Sequence, residues 1–210
     1  VVEMDREASW QAIARQRRDL ADLLDGLSAA EWEQPSLCAG WRVRDVAAHV
    51  ALAPQPPSVW AMAVDAARAG GRFHKLNHDV SVRHAQRPVA DLVGELRRFA
   101  DSRRLPAVTS YRNILFDVLV HAQDIAVPLG RPLPMQPDAA VVAATRVWGM
   151  GWPFWARRRL RGVRLVATDV AWAAGDGLEV TGPIDALLLM TGRREAASAR
   201  LSGAGVARVA

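Results

Sequence analysis

The stretch CAGWRVRDVAAHV, residues 38–50, decides how this chain is read. Val43, Val46, Ala47 and Val50 recur at three- and four-residue steps, the pattern of a helix with one apolar side. Gly40-Trp41 marks its hinge. His49 then stands among small apolar residues, where an imidazole needs a partner to be tolerated.

A second stretch supplies that partner. In FDVLVHAQDIA, residues 116–126, Asp117 and His121 are four residues apart. Four residues turn an α-helix by about 400°, so carboxylate and imidazole leave one face, one turn apart. An inward pair on one helix and a histidine from another is how a helical bundle builds a metal centre in its core. Two imidazoles and a carboxylate suit zinc or another late first-row divalent ion, with positions left for water or substrate. The plain alternative is a hydrogen-bonded core histidine, and the spacing leaves both open. A rival set, His74 and His78 with His84 nearby, falls in residues 70–87, which read as a polar loop at a substrate rim or in solvent.

Outward from these stretches the chain is mainly helical. Residues 6–26 carry Trp10, Ile13, Leu20, Leu23 and Leu24 on one side of a first helix. Ser28 and Glu31 have capping-box spacing and start a short turn that Pro35 ends. The helix over 43–52 is stopped by PQPP at 54–57, and a stretch over 59–69 is its kinked continuation or a separate helix. Pro88 opens the next helix, with Val89, Leu92, Val93, Leu96 and Phe99 as its core face. Thr109 or Ser110 caps a long helix from Tyr111 to Pro128, and another runs from Asp138 to about Trp148.

After Trp155 the texture changes. VRLVATDVAW (163–172) and LEVTG (178–182), separated by AAGDG, read as a β-hairpin. Pro183 opens the apolar helix IDALLLMTGR, closed by Gly192. The last segment, from Ser198, offers one more strand. The expected organisation is a helical bundle over 1–152 and a small α+β domain over 153–210.

Composition limits the rest. The 210 residues are 50% hydrophobic and 23% charged, and no apolar run reaches the roughly 18–20 residues that cross a bilayer. The first residues lack the order of a secretory leader, and Cys38, the single cysteine, has no intramolecular disulfide partner. A cytoplasmic setting is expected. The net charge of +5 is carried almost entirely by arginine, Lys75 being the only lysine. Arginine is densest in RRRLRGVR (157–164), but no zinc-finger spacing, basic heptad or helix-turn-helix accompanies it, so nucleic acid is not the expected partner.

Three ordered stretches carry a family resemblance. SLCAGWRVRDVAAHV (36–50), FDVLVHAQDIAVPLGRPLP (116–134) and LEVTGPIDALLLMTGRREAASARLSGAG (178–205) resemble the signatures of the mycothiol-dependent maleylpyruvate isomerase-like family. The resemblance implies a DinB-like four-helix bundle followed by a small α+β domain, with a divalent metal, usually zinc, held by His49, Asp117 and His121. The isomerase itself has a glutamate where this chain has Asp117, one methylene shorter, which shifts the ion. Arg193 matches an arginine of the second domain that reaches the isomerase's catalytic centre, and it is the one catalytic residue the resemblance implies. Mycothiol is the implied thiol cosubstrate and a small electrophile the other partner, in a monomer or homodimer. The implied activity is thiol transfer or isomerisation, and a non-catalytic metal- or ligand-binding module on the same fold is the alternative.

Three other residues draw attention. Trp41 is a core anchor or a substrate contact. Asp45, one turn before His49, orients that imidazole or serves as an N-terminal helix charge. Cys38 precedes a helix N-terminus, a setting that lowers a thiol pKa, and reads as packing ahead of direct chemistry. Asp124 is expected to follow His121 too closely to share its face and to make a structural hydrogen bond.

Overall fold

The computed structural model describes residues 4–55, 58–105 and 109–209, apart from the side chains of residues 59 and 195. Ten α-helices and one three-stranded sheet account for its regular structure among these residues, with two short 3-10 turns near the end. The contacts divide the chain into two compact units, residues 13–133 and residues 1–12 with 134–210. The position expected for a domain boundary, 152/153, falls inside the second of these.

The first unit is a helical bundle. The part of helix α1 (Arg6–Asp25) from Ile13 on belongs to it and buries Ile13, Leu20, Ala21 and Leu24. After it, Ser28 and Glu31 close a reciprocal capping box on the four-residue α2 (Ala29–Trp32). Helix α3 (Val43–Leu52) is the central element and packs on α5 (Phe73–His84), α6 (Val89–Arg98) and α7 (Tyr111–Ala126). Its small face makes this possible, because Val43, Val46, Ala47, Ala48, Val50 and Ala51 are all buried and let neighbours approach closely. Helix α4 (Val59–Arg68) is a separate helix with its own N-cap, Ser58, whose hydroxyl accepts from the Ala61 N–H. Of the PQPP expected to stop α3, Pro56 and Pro57 lie outside the described residues.

Helix α5 corrects the expectation of a loop over 70–87. The segment has no apolar stripe to announce it. Ser81 is its buried residue, and Asn77, His78 and His84 are only half-buried. Leu76, Val80 and Val82 are no more buried than these polar residues, and a helix that mixes the two gives no clear hydrophobic period, so periodicity misses it. Trp60 and Phe73, on α4 and α5, are exposed.

The second unit holds α8 (Pro137–Gly149), the short α9 (Ala156–Arg159), the sheet and α10 (Ile184–Thr191), which packs on α8. Strands β1 (Val163–Ala167), β2 (Ala173–Gly175) and β3 (Leu178–Gly182) lie in the order β2-β1-β3. The hairpin expected between 163–172 and 178–182 does not form. β1 pairs antiparallel with the three-residue β2, taken from the supposed turn, and pairs in parallel with β3, Val163 opposite Leu178. Gly177 explains the crossing. It has φ 120°, and a Cβ there would lie 2.3 Å from the Gly162 carbonyl oxygen. The chain passes directly under the start of β1, and β3 emerges on the opposite edge, running the same way. The final strand is also absent among the described residues. Glu195–Arg200 and Val206–Arg208 are 3-10 turns, and only an isolated bridge joins Thr181 to Ser202.

Candidate functional site

Within the first unit, α7 and α3 bring three chelating groups together. The Asp117 Oδ1 lies 3.4 Å from His121 Nε2 and 3.6 Å from His49 Nε2. One ligand atom from each residue falls within 4.8 Å of the others. The two imidazoles meet edge to face, with ring centroids 4.9 Å apart. All three side chains are partly exposed, 20% for His49, 29% for Asp117 and 16% for His121, so the cluster is open on one side.

These separations can be tested against an ion. Zinc bonds of about 2.0–2.2 Å in tetrahedral array put neighbouring donors roughly 3.3–3.6 Å apart. The donor set, two imidazole Nε2 atoms and one carboxylate oxygen, and the observed spacing both fit.

The rear of each imidazole is also held. His49 Nδ1 is 3.3 Å from the hydroxyl of buried Ser81 on α5. His121 Nδ1 is 2.8 Å from Asp124 Oδ2, and the Asp124 side chain is fully buried. The Cys38 thiol donates to the same carboxylate oxygen at 3.0 Å and lies 3.7 Å from His121 Nδ1. The expectation that Asp124 follows His121 too closely was wrong. Residues three apart are neighbours on a helix, because 300° falls about 60° short of a full turn. Cys38, His121 and Asp124 thus form a second group close enough to share an ion, overlapping the first at His121.

Electrostatics bind the cluster together. Burial pushes the Asp117 carboxyl up, but the His121 and His49 imidazoles outweigh it and hold it well below the usual carboxylate range. Burial pushes the His121 imidazole down, and Asp117, aided by Asp124 and Cys38, outweighs that and holds it well above the ordinary value.

This bundle is recognised by a family model, the mycothiol maleylpyruvate isomerase N-terminal domain, which matches residues 13–126, more than half of the chain. The chain belongs to this family. Its fold is also that of two solved structures, the crystal structures of the mycothiol-dependent maleylpyruvate isomerase and of a histidine-to-alanine mutant of it. Each matches with a TM-score of 0.60 at 13% identity, covering 96% of this chain and 93% of the other. No curated protein sequence matches the chain. Membership brings a mycothiol-using isomerase into view, and the expected fold, a helical bundle with a small α+β part, is the one observed.

The remaining residues singled out by sequence fall as follows. The Asp45 carboxylate is not bonded to His49. It accepts from the Arg42 backbone N–H and guanidinium, all at 2.9 Å, and so satisfies the N-cap N–H at the start of α3. It is the helix charge, and the orienting partner of His49 is Ser81. Trp41 is half-buried and stands edge-on to both His49 and His78, with centroids 5.7 and 5.6 Å away. His84 Nε2 meets buried Glu95 at 2.7 Å, and Glu95 also accepts from Arg87 and Gln55, so His84 belongs to a packing network. His74 packs beside Phe73 at the exposed start of α5.

Arg193 lies in the other unit, exposed, just past the end of α10 with φ 68°. Within the arginine-rich stretch, Arg159 donates to the Met190 and Thr191 carbonyls and so ends α10, while Arg157, Arg158 and Arg161 are exposed. No described helix is long and apolar enough to cross a membrane.

Proposed function

We propose that this chain is a metal-dependent, mycothiol-dependent enzyme that joins a thiol to, or isomerises, a small electrophilic substrate in the cytoplasm. The observation that carries this reading is the convergence of His49 Nε2, His121 Nε2 and Asp117 Oδ1 at ion-sharing distances on an open side of the bundle. These residues are the ligands of a divalent cation, zinc by the borderline character of the donors. When bound, the cation supplies the charge that lets a coordinating thiol lose its proton at neutral pH.

The chain's own groups do the rest. His49, Asp117 and His121 would hold the cation through two imidazole nitrogens and one carboxylate oxygen. Arg193, in the other unit, is the arginine that the family resemblance offers for a carboxylate or developing oxyanion on the electrophile. In the reaction a sulfur–carbon bond forms at the electrophilic carbon, and the electrons displaced there are taken up by the substrate's own carbonyl or leaving group. Retention of that bond is transfer. Its loss again, after rotation within the adduct, is isomerisation.

The test is purified protein with zinc, mycothiol and a panel of electrophiles that includes maleylpyruvate. Product that appears with both additions and vanishes in His121→Ala supports the proposal. A protein that binds one equivalent of zinc tightly and stays inert across the panel is a binding module instead.

A further inference from the structure

The triad explains where the imidazole Nε2 atoms point, but not what keeps them pointing there. The two histidines are held differently. Behind His121 stands Asp124, fully buried and 2.8 Å from Nδ1. Carboxylates can only accept, so Asp124 at 2.8 Å from Nδ1 and Asp117 at 3.4 Å from Nε2 both draw the ring proton; the shorter, fully buried contact places it on Nδ1 in the neutral ring and leaves the lone pair on Nε2. Behind His49 stands the Ser81 hydroxyl at 3.3 Å. A hydroxyl either donates or accepts. It leaves the tautomer of His49 unspecified.

Asp124 is itself fixed from two directions. Its carboxylate oxygen takes the Cys38 thiol proton at 3.0 Å, and its backbone carbonyl takes the Leu37 N–H at 3.0 Å. The loop carrying these donors is tied in turn, since Ser36 and Trp41 bond to each other through backbone and hydroxyl, and the Cys38 N–H donates to the Ser36 hydroxyl. That loop leads directly into α3, which carries His49. The Cys38-Asp124 contact therefore joins the start of one ligand helix to the last turn of the other.

We infer that Asp124, anchored by Cys38 and Leu37, is a positioning residue that fixes His121 as its Nδ1–H tautomer and aims the Nε2 lone pair at the site shared with Asp117 and His49. Its consequence for metal binding rests on the proposed metal centre; the tautomer does not. Ligating histidines whose other nitrogen meets a carboxylate bind more strongly, and loss of such partners costs about 10–100-fold in metal affinity. The inequality between the two rings predicts unequal effects. Asp124→Asn lowers zinc affinity by about 10–100-fold, and Ser81→Ala by only a few-fold. Cys38→Ser keeps a donor to Asp124 and stays near wild type, whereas Cys38→Ala falls between.

Two measurements test this together. Long-range ¹H–¹⁵N correlation of the histidine rings in the intact protein, without metal at high pH and again with zinc, reads the tautomer directly. The expected result is His121 protonated at Nδ1 in both, a pattern lost in Asp124→Asn. Competitive zinc titration of the same variants reads affinity. A wild-type His121 protonated at Nε2, or ligated through Nδ1, overturns the inference and needs no variant to fold. Unchanged zinc affinity in Asp124→Asn also overturns it, while leaving the metal reading intact. Conversely, a wild-type chain that shows the Nδ1–H tautomer but takes up no divalent ion supports the inference and sinks the metal reading.

Discussion

Asp117 and His121 stand one turn apart on α7, with Oδ1 and Nε2 separated by 3.4 Å, and His49 arrives from α3 on the other side of the same carboxylate at 3.6 Å. The carboxylate is the pivot of the cluster, since it alone faces both imidazoles. Removing any one of the three should therefore lower affinity for a divalent ion more than removing a supporting residue does. We expect at least about 100-fold for His49→Ala, Asp117→Ala or His121→Ala, beyond the 10–100-fold typical of outer partners. Competition against a chromophoric chelator reads this. His74→Ala and His78→Ala, on α5, should leave both stoichiometry and affinity near wild type.

The same charges set the pH behaviour of the metal-free protein. His121 is raised above its unfolded value of about 6.5, so its stabilisation is complete below that pH and is lost as pH rises through the folded value. Asp117 is depressed, so its stabilisation is present above about 3.9 and is lost as pH falls through the folded value. The metal-free chain should thus show a melting temperature that declines above neutrality. Zinc reverses the trend, because coordination needs the imidazole deprotonated and must release a proton. Thermal melts from pH 5 to 9, with and without zinc, should coincide at the acid end, where the protonated imidazole excludes the ion, and separate as pH rises. Parallel curves would contradict this.

How much of this was legible in the sequence follows from what each element buries. Helix α3 was readable because Val43, Val46, Ala47 and Val50 mark an apolar face, and the capping box at Ser28 because its two residues bond locally. The Asp117-His121 pair was readable because helical spacing alone brings it together. Helix α5 was hidden because its buried residue is Ser81 and its half-buried positions mix Leu76, Val80 and Val82 with polar side chains, and with it went Ser81 as the partner of His49. Asp124 had a signal, its three-residue offset from His121. The parallel pairing of β1 with β3 had none, since it depends on a close passage of Gly177 past Gly162 that no local pattern encodes.

Asp45 offers a separation of stability from ligation. Its nearly buried carboxylate holds the Arg42 backbone N–H and guanidinium at the first turn of α3, and its pKa is lowered by the Arg42 hydrogen bonds against the opposing effect of burial. Asp45→Ala leaves the N-cap Arg42 N–H without its acceptor, a loss of about 0.5–2 kcal/mol. Because the carboxylate does not touch His49, zinc stoichiometry should stay at one per chain. Denaturant unfolding and metal titration of the same preparation check the two halves. Loss of zinc uptake in a folded Asp45→Ala protein would return Asp45 to the role of orienting partner.

Gly177 tests the sheet crossing. Its φ of 120° is one that L side chains rarely adopt, and an added Cβ would meet the carbonyl oxygen of Gly162 at 2.3 Å, a backbone atom with no rotamer to escape into. The contact also carries the Leu178 N–H bond to that oxygen, the step that launches β3 beside β1. Gly177→Ala should therefore cost at least about 1–3 kcal/mol, the range for a residue forced into a sparsely populated conformation. Gly94, in the exposed middle of α6 with nothing within 4 Å of its would-be Cβ, is the control, where alanine should stabilise by about 0.5–1 kcal/mol. Equilibrium unfolding of both variants gives opposite signs if β3 crosses under β1 as described. A neutral Gly177→Ala would mean that the strand reaches its parallel register by some path other than the contact with Gly162.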